Sequence, residues 1–223
     1  LELLLIAATV SAQLGQNIAN MSLEELLGKV FQKEPNNTQA ITILVGEDIL
    51  QERWEAAYLS NSKLYKNDKK EALIVLNQIK ICLALGKIVE ARDAYNYLRS
   101  LTGETEDLLL CNIRILIAEN ASSQAISQIE RLLGSTTNTR TKSALYYERS
   151  KVSRSSQEKL DDLRLSLTAN PRNADALYSL YLYYFDQKEY RKAQYYLKQA
   201  VSLNTNSKIL LERNKELDDL LAE

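Results

Sequence analysis

The sequence predicts an all-α fold of stacked helix hairpins. Three observations carry this: few turn-forming residues, a fixed 34-residue period, and a two-helix pattern within each period. Two prolines and six glycines in 223 residues are too few for the turns of a sheet-rich fold, whereas Leu, Ala, Gln, Lys and Glu abound. Steps of 34 back from Ala193 land on Lys159, Ala125, Ala91 and Ala57, so alanine recurs at three of four steps. Seven residues on from these positions stand Ala200, Ser166, Leu132, Leu98 and Leu64, and four residues on stand Leu197, Leu163, Ile129, Tyr95 and Asn61. A small residue followed by apolar ones at helical spacing therefore recurs in phase.

The elements follow in chain order. Residues 1–37 open with LELLLIAATVSAQ, which has two readings. It is either the apolar core of a secretory signal ending Val10-Ser11-Ala12, or the first helix of a sixth repeat spanning 4–37, with Ala7, Val10, Ser11 and Leu14 at the packing phases. Its apolar run is too short to span a bilayer. As a terminal helix it needs a cover, from upstream sequence, a second copy or a partner. Ser22 followed by Glu25 has capping-box spacing, which predicts a helix from Leu23 to Lys33 before Pro35. Five repeat units then run 38–71, 72–105, 106–139, 140–173 and 174–207 without insertion. Each has two apolar-periodic halves joined by a short polar stretch, such as Gly86-Lys87 or Asp186-Gln187-Lys188-Glu189. Pro35-Asn36-Asn37 and Pro171-Arg172-Asn173 close units at the same phase. Residues 208–223, KILLERNKELDDLLAE, read as a capping helix with Ile209, Leu210, Leu217, Leu220 and Leu221 inward and its charges outward.

The unit ADALYSLYLYYFDQKEYRKAQYYLKQAVSLNTNS resembles the tetratricopeptide repeat. Leu177, Leu180-Tyr181, Tyr184, Ala193, Leu197 and Thr205 stand where that family places an aromatic, Leu-Gly, Tyr, Ala, Phe and Pro. The shared phase extends over about three quarters of the chain. The unit 140–173 departs from it, with Lys159 in the small-residue position and a polar Arg154-Ser155-Ser156 turn, so this hairpin is expected to be the loosest. The resemblance implies a right-handed α-α superhelix of five to six hairpins with a C-terminal cap, whose first helices line a concave channel that binds proteins or peptides.

The fifth, ninth and twelfth residues of each unit, spaced i, i+4, i+7, form one stripe facing that channel. They are Thr42, Gly46 and Ile49; Leu76, Lys80 and Leu83; Leu110, Arg114 and Ile117; Ala144, Glu148 and Lys151; and Tyr178, Leu182 and Phe185. Leu76, Lys80, Leu83, Leu110, Arg114, Ile117, Tyr178, Leu182 and Phe185 are the candidate partner-binding residues, with Lys80 and Arg114 receiving an acidic group. Some family members clamp a terminal carboxylate with Lys, Asn and Arg, of which Asn77, Lys80 and Arg114 are a partial set. Of the seven tyrosines in 178–200, Tyr181, Tyr184 and Tyr190 fall at packing phases. Tyr183, Tyr195 and Tyr196 fall on outer or inter-repeat faces, and Tyr178 with Phe185 faces the channel.

The residues present exclude several kinds of chemistry. With no histidine there is no Ser-His-Asp or Cys-His catalysis and no imidazole metal ligand. Cys82 and Cys111, both at apolar helical positions, build neither a disulfide scaffold nor a four-cysteine zinc site. No GxGxxG, GxxxxGK[ST], HExxH, CxxC or GxSxG motif occurs. The expectation is a protein that is not an enzyme, holds no cofactor or metal, and acts as an interaction scaffold or adaptor. The alternative is an architectural subunit or homo-oligomer assembling through its convex face or apolar first helix. An RNA-binding helical repeat is a distant third, since the net charge is −1 and the channel stripe is mostly apolar. The cytoplasm is the default compartment, and the periplasm or exterior follows if residues 1–12 are a signal remnant.

Overall fold

A computed structural model describes residues 1–67, 71–205 and 207–222. Among these it contains thirteen α-helices and no strand, only an isolated bridge between Ile18 and Met21. The chain divides into two compact bodies, Leu1–Gly103 and Glu104–Glu223.

The first body holds α1 (Glu2–Leu14), α2 (Leu23–Lys33), α3 (Thr38–Leu50), α4 (Trp54–Asn67), α5 (Ala72–Ala84) and α6 (Ile88–Thr102). Leu5 and Ala8 of α1 pack with Leu26, Leu27 and Val30 of α2 and Ala40 of α3 in one apolar cluster. Val45, Ala57 and Ile81 centre another. Ser22 and Glu25 close the capping box read from the sequence: Ser22 N–H donates to Glu25 Oε2 at 2.8 Å and Glu25 N–H to Ser22 Oγ at 3.2 Å. The buried face of α1 shares only Ser11 with the one expected. Leu5, Ala8 and Ser11 are inside, Ala7 and Val10 are half-buried, and Leu14 is exposed, next to a Gly15 cap at φ 63° that ends the helix. Hydrophobicity alone did not set the face, because nearly every residue of α1 is apolar or small.

The second body holds α7 (Glu106–Ala118), α8 (Ser122–Ser135), α9 (Thr139–Ser150), α10 (Ser156–Ala169), α11 (Ala174–Asp186), α12 (Tyr190–Leu203) and α13 (Lys208–Ala222). Its largest cluster joins Leu163, Leu177, Leu180, Tyr181, Tyr184, Ala193, Leu197 and Ala200 with Leu210 and Leu217 of α13. Of the five residues expected inward on α13, Leu210 and Leu217 are buried in the cluster and Leu221 packs against it. Ile209 and Leu221 are half-buried, and Leu220 faces solvent. The α9–α10 hairpin, expected to be the loosest, is fastened by polar contacts. Arg149 donates to both carboxylate oxygens of Asp162 at 2.6–3.1 Å, and Ser143 and Ser166 share a buried hydrogen bond that Asn173 joins through its amide. Lys159 itself points outward, and Leu160 and Leu163 supply the apolar contact.

Helix starts are set by local chemistry. Asn37, Thr105, Asn138 and Asn173 each accept a backbone N–H at the start of a first helix. The second helices α4, α6, α8, α10 and α12 begin at Trp54, Ile88, Ser122, Ser156 and Tyr190, successive starts 34 residues apart. In four hairpins the residue closing the first helix lies in the left-handed region: Glu52 (φ 54°), Gly86 (φ 69°), Asn120 (φ 60°) and Lys188 (φ 59°). The next N–H then reaches back to the carbonyl five residues earlier, as in Arg53 to Asp48 at 2.8 Å and Glu189 to Tyr184 at 2.9 Å.

Candidate functional site

Helical geometry puts the fifth, ninth and twelfth residues of each unit on one face of its first helix, and the two bodies treat that face differently. In the first body it is open and mostly uncharged. Thr42, Ile49, Leu76 and Leu83 are half-buried, while Gly46 and Lys80 are exposed. Between α1 and α3 lies a pocket of about 270 Å³ lined by Thr9, Ala12, Gln13, Ile43, Gly46, Glu47 and Leu50. Ala12 and Gly46, 34 residues apart, both line it, so two small residues stand where larger side chains would fill the space.

The second body carries charge at the same place. Arg114 Nε donates to Glu148 Oε1 at 2.6 Å, and Lys151 Nζ lies 2.8 Å from Glu148 Oε2. The Glu148 side chain is 1% exposed, those of Arg114 and Lys151 37% and 39%. One buried carboxylate thus draws two cations inward while both keep an outer edge in water. Burial pulls the pKa of each cation down, but the Glu148 charge beside them more than offsets this, and both stay above their ordinary values. Lys151 Nζ also sits 4.3 Å from the centre of the Tyr147 ring. The acidic group expected at Arg114 is supplied, at least in part, by the chain itself. Leu110 is buried and Ile117 half-buried, both in the cluster around Ile113 and Leu145.

On α11 the face opens again. Tyr178 and Phe185 are half-buried and Leu182 is 42% exposed. Tyr178 packs on Tyr181 with ring centres 5.4 Å apart, Tyr181 on Phe185 at 5.8 Å, and Phe185 on Tyr190 at 5.4 Å. The tyrosine-rich stretch therefore has two sides. Tyr181 and Tyr184 are core, Tyr184 stacks on Tyr196, and Tyr195 is 63% exposed on the far surface.

The remaining reactive groups are structural. Burial pushes the Cys111 thiol up to about 11. Burial and then the charge of Glu90 do the same for Cys82, which accepts a hydrogen bond from Gln78 at 3.3 Å. Glu90 is occupied by Tyr58 (2.6 Å) and Lys87 (3.2 Å). Among the described residues no group of three or more His, Cys, Asp or Glu is placed to hold a metal ion, and no helix is long and apolar enough to cross a membrane. Two features escaped the sequence reading, the Arg114–Glu148–Lys151 cluster and the Ala12–Gly46 pocket. Both had a signal, since Ala12 and Gly46, like Arg114 and Glu148, stand 34 residues apart and are matched in size or in charge.

No protein-family model matches the sequence, and no curated protein matches it. Solved structures do. A tetratricopeptide repeat protein from Parabacteroides merdae is 18% identical over 97% of this chain and 98% of its own, with a TM-score of 0.52. The Cut9-Hcn1 heterotetramer of the APC/C matches at 15% identity over 87% of this chain and 39% of that one, with a TM-score of 0.54. Yeast Tom70 matches at 12% identity over 98% and 47%, with a TM-score of 0.51. This chain spans less than half the length of the last two. The likeness is one of fold, an all-α helical repeat of the tetratricopeptide kind.

Proposed function

We propose that the chain is a non-catalytic protein-interaction scaffold that holds a partner peptide or helix along the faces of its first helices. The regular 34-residue spacing of the second-helix starts supports the repeat register on which this reading rests. Leu76, Lys80 and Leu83 in the first body and Leu110, Arg114, Ile117, Tyr178, Leu182 and Phe185 in the second are its contact residues, and their shares are unequal. The observation that carries the proposal is the exposed Leu182 between Tyr178 and Phe185, an apolar patch anchored from behind by the Tyr181 ring. Leu110 acts from beneath, and Arg114 offers only the donors that Glu148 leaves to it.

The test is affinity capture with the intact chain beside Leu182→Asp, followed by direct titration of any captured protein. Leu182 is exposed, so the variant keeps its fold, as circular dichroism checks. A partner bound by the wild type and weakened at least tenfold by Leu182→Asp supports the scaffold reading. Partners indifferent to it move the function elsewhere. A second reading has its own observation: Leu3 and Ile6, 81% and 52% exposed on α1, form an apolar face suited to assembly. A Leu3→Ser, Ile6→Ser variant that dissociates a complex still held by Leu182→Asp would favour it.

A further inference from the structure

Glycine inside a helix is less stable than alanine, because it loses more backbone freedom on folding and shields nothing. A glycine in mid-helix therefore needs a reason. Gly46 lies well inside α3, outside the left-handed region, and a Cβ built there meets no atom within 4 Å. Neither backbone conformation nor close packing requires it. What the missing side chain leaves is the space of about 270 Å³ against Ala12, walled by Thr9, Ile43 and Leu50.

The charges around this space are one-sided. Neither α1 nor α3 carries a lysine or arginine. Asp48 is held by Arg53 at 2.8 Å, whereas Glu47, on the pocket wall, accepts a hydrogen bond from the neutral Gln51 amide at 3.0 Å. An apolar recess with a carboxylate on its wall is complementary to an apolar side chain with a cation beside it.

We propose that the Ala12–Gly46 pocket receives a bulky aliphatic or aromatic side chain of a partner polypeptide, and that a lysine or arginine adjacent to that side chain meets Glu47. This rests on the groove-binding reading above and specifies its occupant. The pocket is the anchor, and the carboxylate selects what flanks the anchoring residue. A substitution that fills the pocket blocks binding with no loss of fold, and alanine at 46 makes the chain more stable.

The test uses a phage-displayed random dodecapeptide library panned on the intact chain, with binders titrated against Gly46→Leu, Gly46→Ala, Glu47→Lys and Leu182→Asp. The expected binders carry a bulky apolar residue next to a basic one, lose at least tenfold in affinity on Gly46→Leu, and lose their basic preference on Glu47→Lys. Gly46→Ala is expected to raise the melting temperature by about 1–4 °C. A lowered melting temperature means that the fold needs the glycine, and the proposal fails. Binders indifferent to Gly46→Leu but weakened by Leu182→Asp overturn the pocket and leave the groove reading standing. Binders that are acidic around the apolar residue overturn the pairing with Glu47, and a library that yields no binder overturns both readings.

Discussion

Arg114 Nε donates to Glu148 Oε1 at 2.6 Å across a sequence separation of 34 residues, from α7 to α9. Glu148 is the buried partner, so its carboxylate depends on Arg114 and Lys151 for compensation. Removing one member of a buried pair leaves an uncompensated charge, whereas replacing both by apolar groups does not. Arg114→Met is expected to destabilise by about 2–3 kcal/mol, less than the ~3–5 kcal/mol of a fully buried pair, because Lys151 remains and Arg114 keeps an edge in water. The Arg114→Met, Glu148→Leu double variant is expected to recover much of that loss, because Lys151, 39% exposed, can turn its Nζ to water once Glu148 is gone. Urea denaturation of the two singles and the double checks this, and additive losses would mean that the pair is not coupled.

The left-handed turns give a second prediction. Glu52 at φ 54° and Lys188 at φ 59° adopt a conformation that costs a side chain roughly 1 kcal/mol and costs glycine nothing. Gly86 occupies the corresponding turn of α5–α6. Glu52→Gly and Lys188→Gly are each expected to stabilise by about 0.5 kcal/mol, after the added freedom of the unfolded chain is subtracted. The same change at Arg154, outside the left-handed region, is expected to destabilise. Thermal melts of the three variants distinguish the turns.

Residues that repeat made the fold legible, and residues that interact across repeats hid much of the site. Alanine at 57, 91, 125 and 193 announces the hairpins because a second helix can approach closely only over a small residue, and all four are fully buried. Position 61 carries Asn where other segments carry apolar residues. Its amide donates to Ile74 O at 3.0 Å and Gln78 Oε1 at 2.9 Å, a contact set by an adjacent helix that no periodicity displays. The α9–α10 hairpin shows the limit most clearly. Lys159 and the serines marked it as loose, but Arg149–Asp162 and Ser143–Ser166–Asn173 replace apolar packing with hydrogen bonds whose partners lie 7–30 residues apart. At the candidate site, helical spacing located the stripe, but burial of Leu110 and the self-pairing of Arg114 depend on neighbouring helices.

Both thiols are predicted to be silent in the folded chain. Burial holds the Cys82 and Cys111 thiols at about 11, so the thiolate that reacts with disulfide reagents is scarce at neutral pH. With Ellman's reagent at pH 8 the native chain is expected to show no rapid phase, and in denaturant two thiols per chain should react. A fast native phase of one equivalent would place a cysteine at the surface.

The last prediction concerns acid. Glu106, at the start of α7, accepts a hydrogen bond from Thr141 Oγ1 at 2.6 Å, which joins the first turn of α7 to that of α9. That bond, with a second from Thr136, holds the Glu106 carboxyl below its ordinary range. A carboxylate whose pKa is lower in the folded than in the unfolded chain stabilises the fold above the unfolded value, about 4.3. The contribution is lost as the pH falls through the folded value. Thr141→Val keeps the shape of the buried side chain and removes the donor. Its Glu106 is expected to titrate closer to 4.3 by NMR, and its acid-unfolding midpoint to lie at higher pH than that of the wild type. An unchanged Glu106 titration would show that the Thr141 hydroxyl does not hold this carboxylate in solution, and the α7–α9 contact would then rest on the Arg114–Glu148 pair and on apolar packing around Leu110 and Leu145.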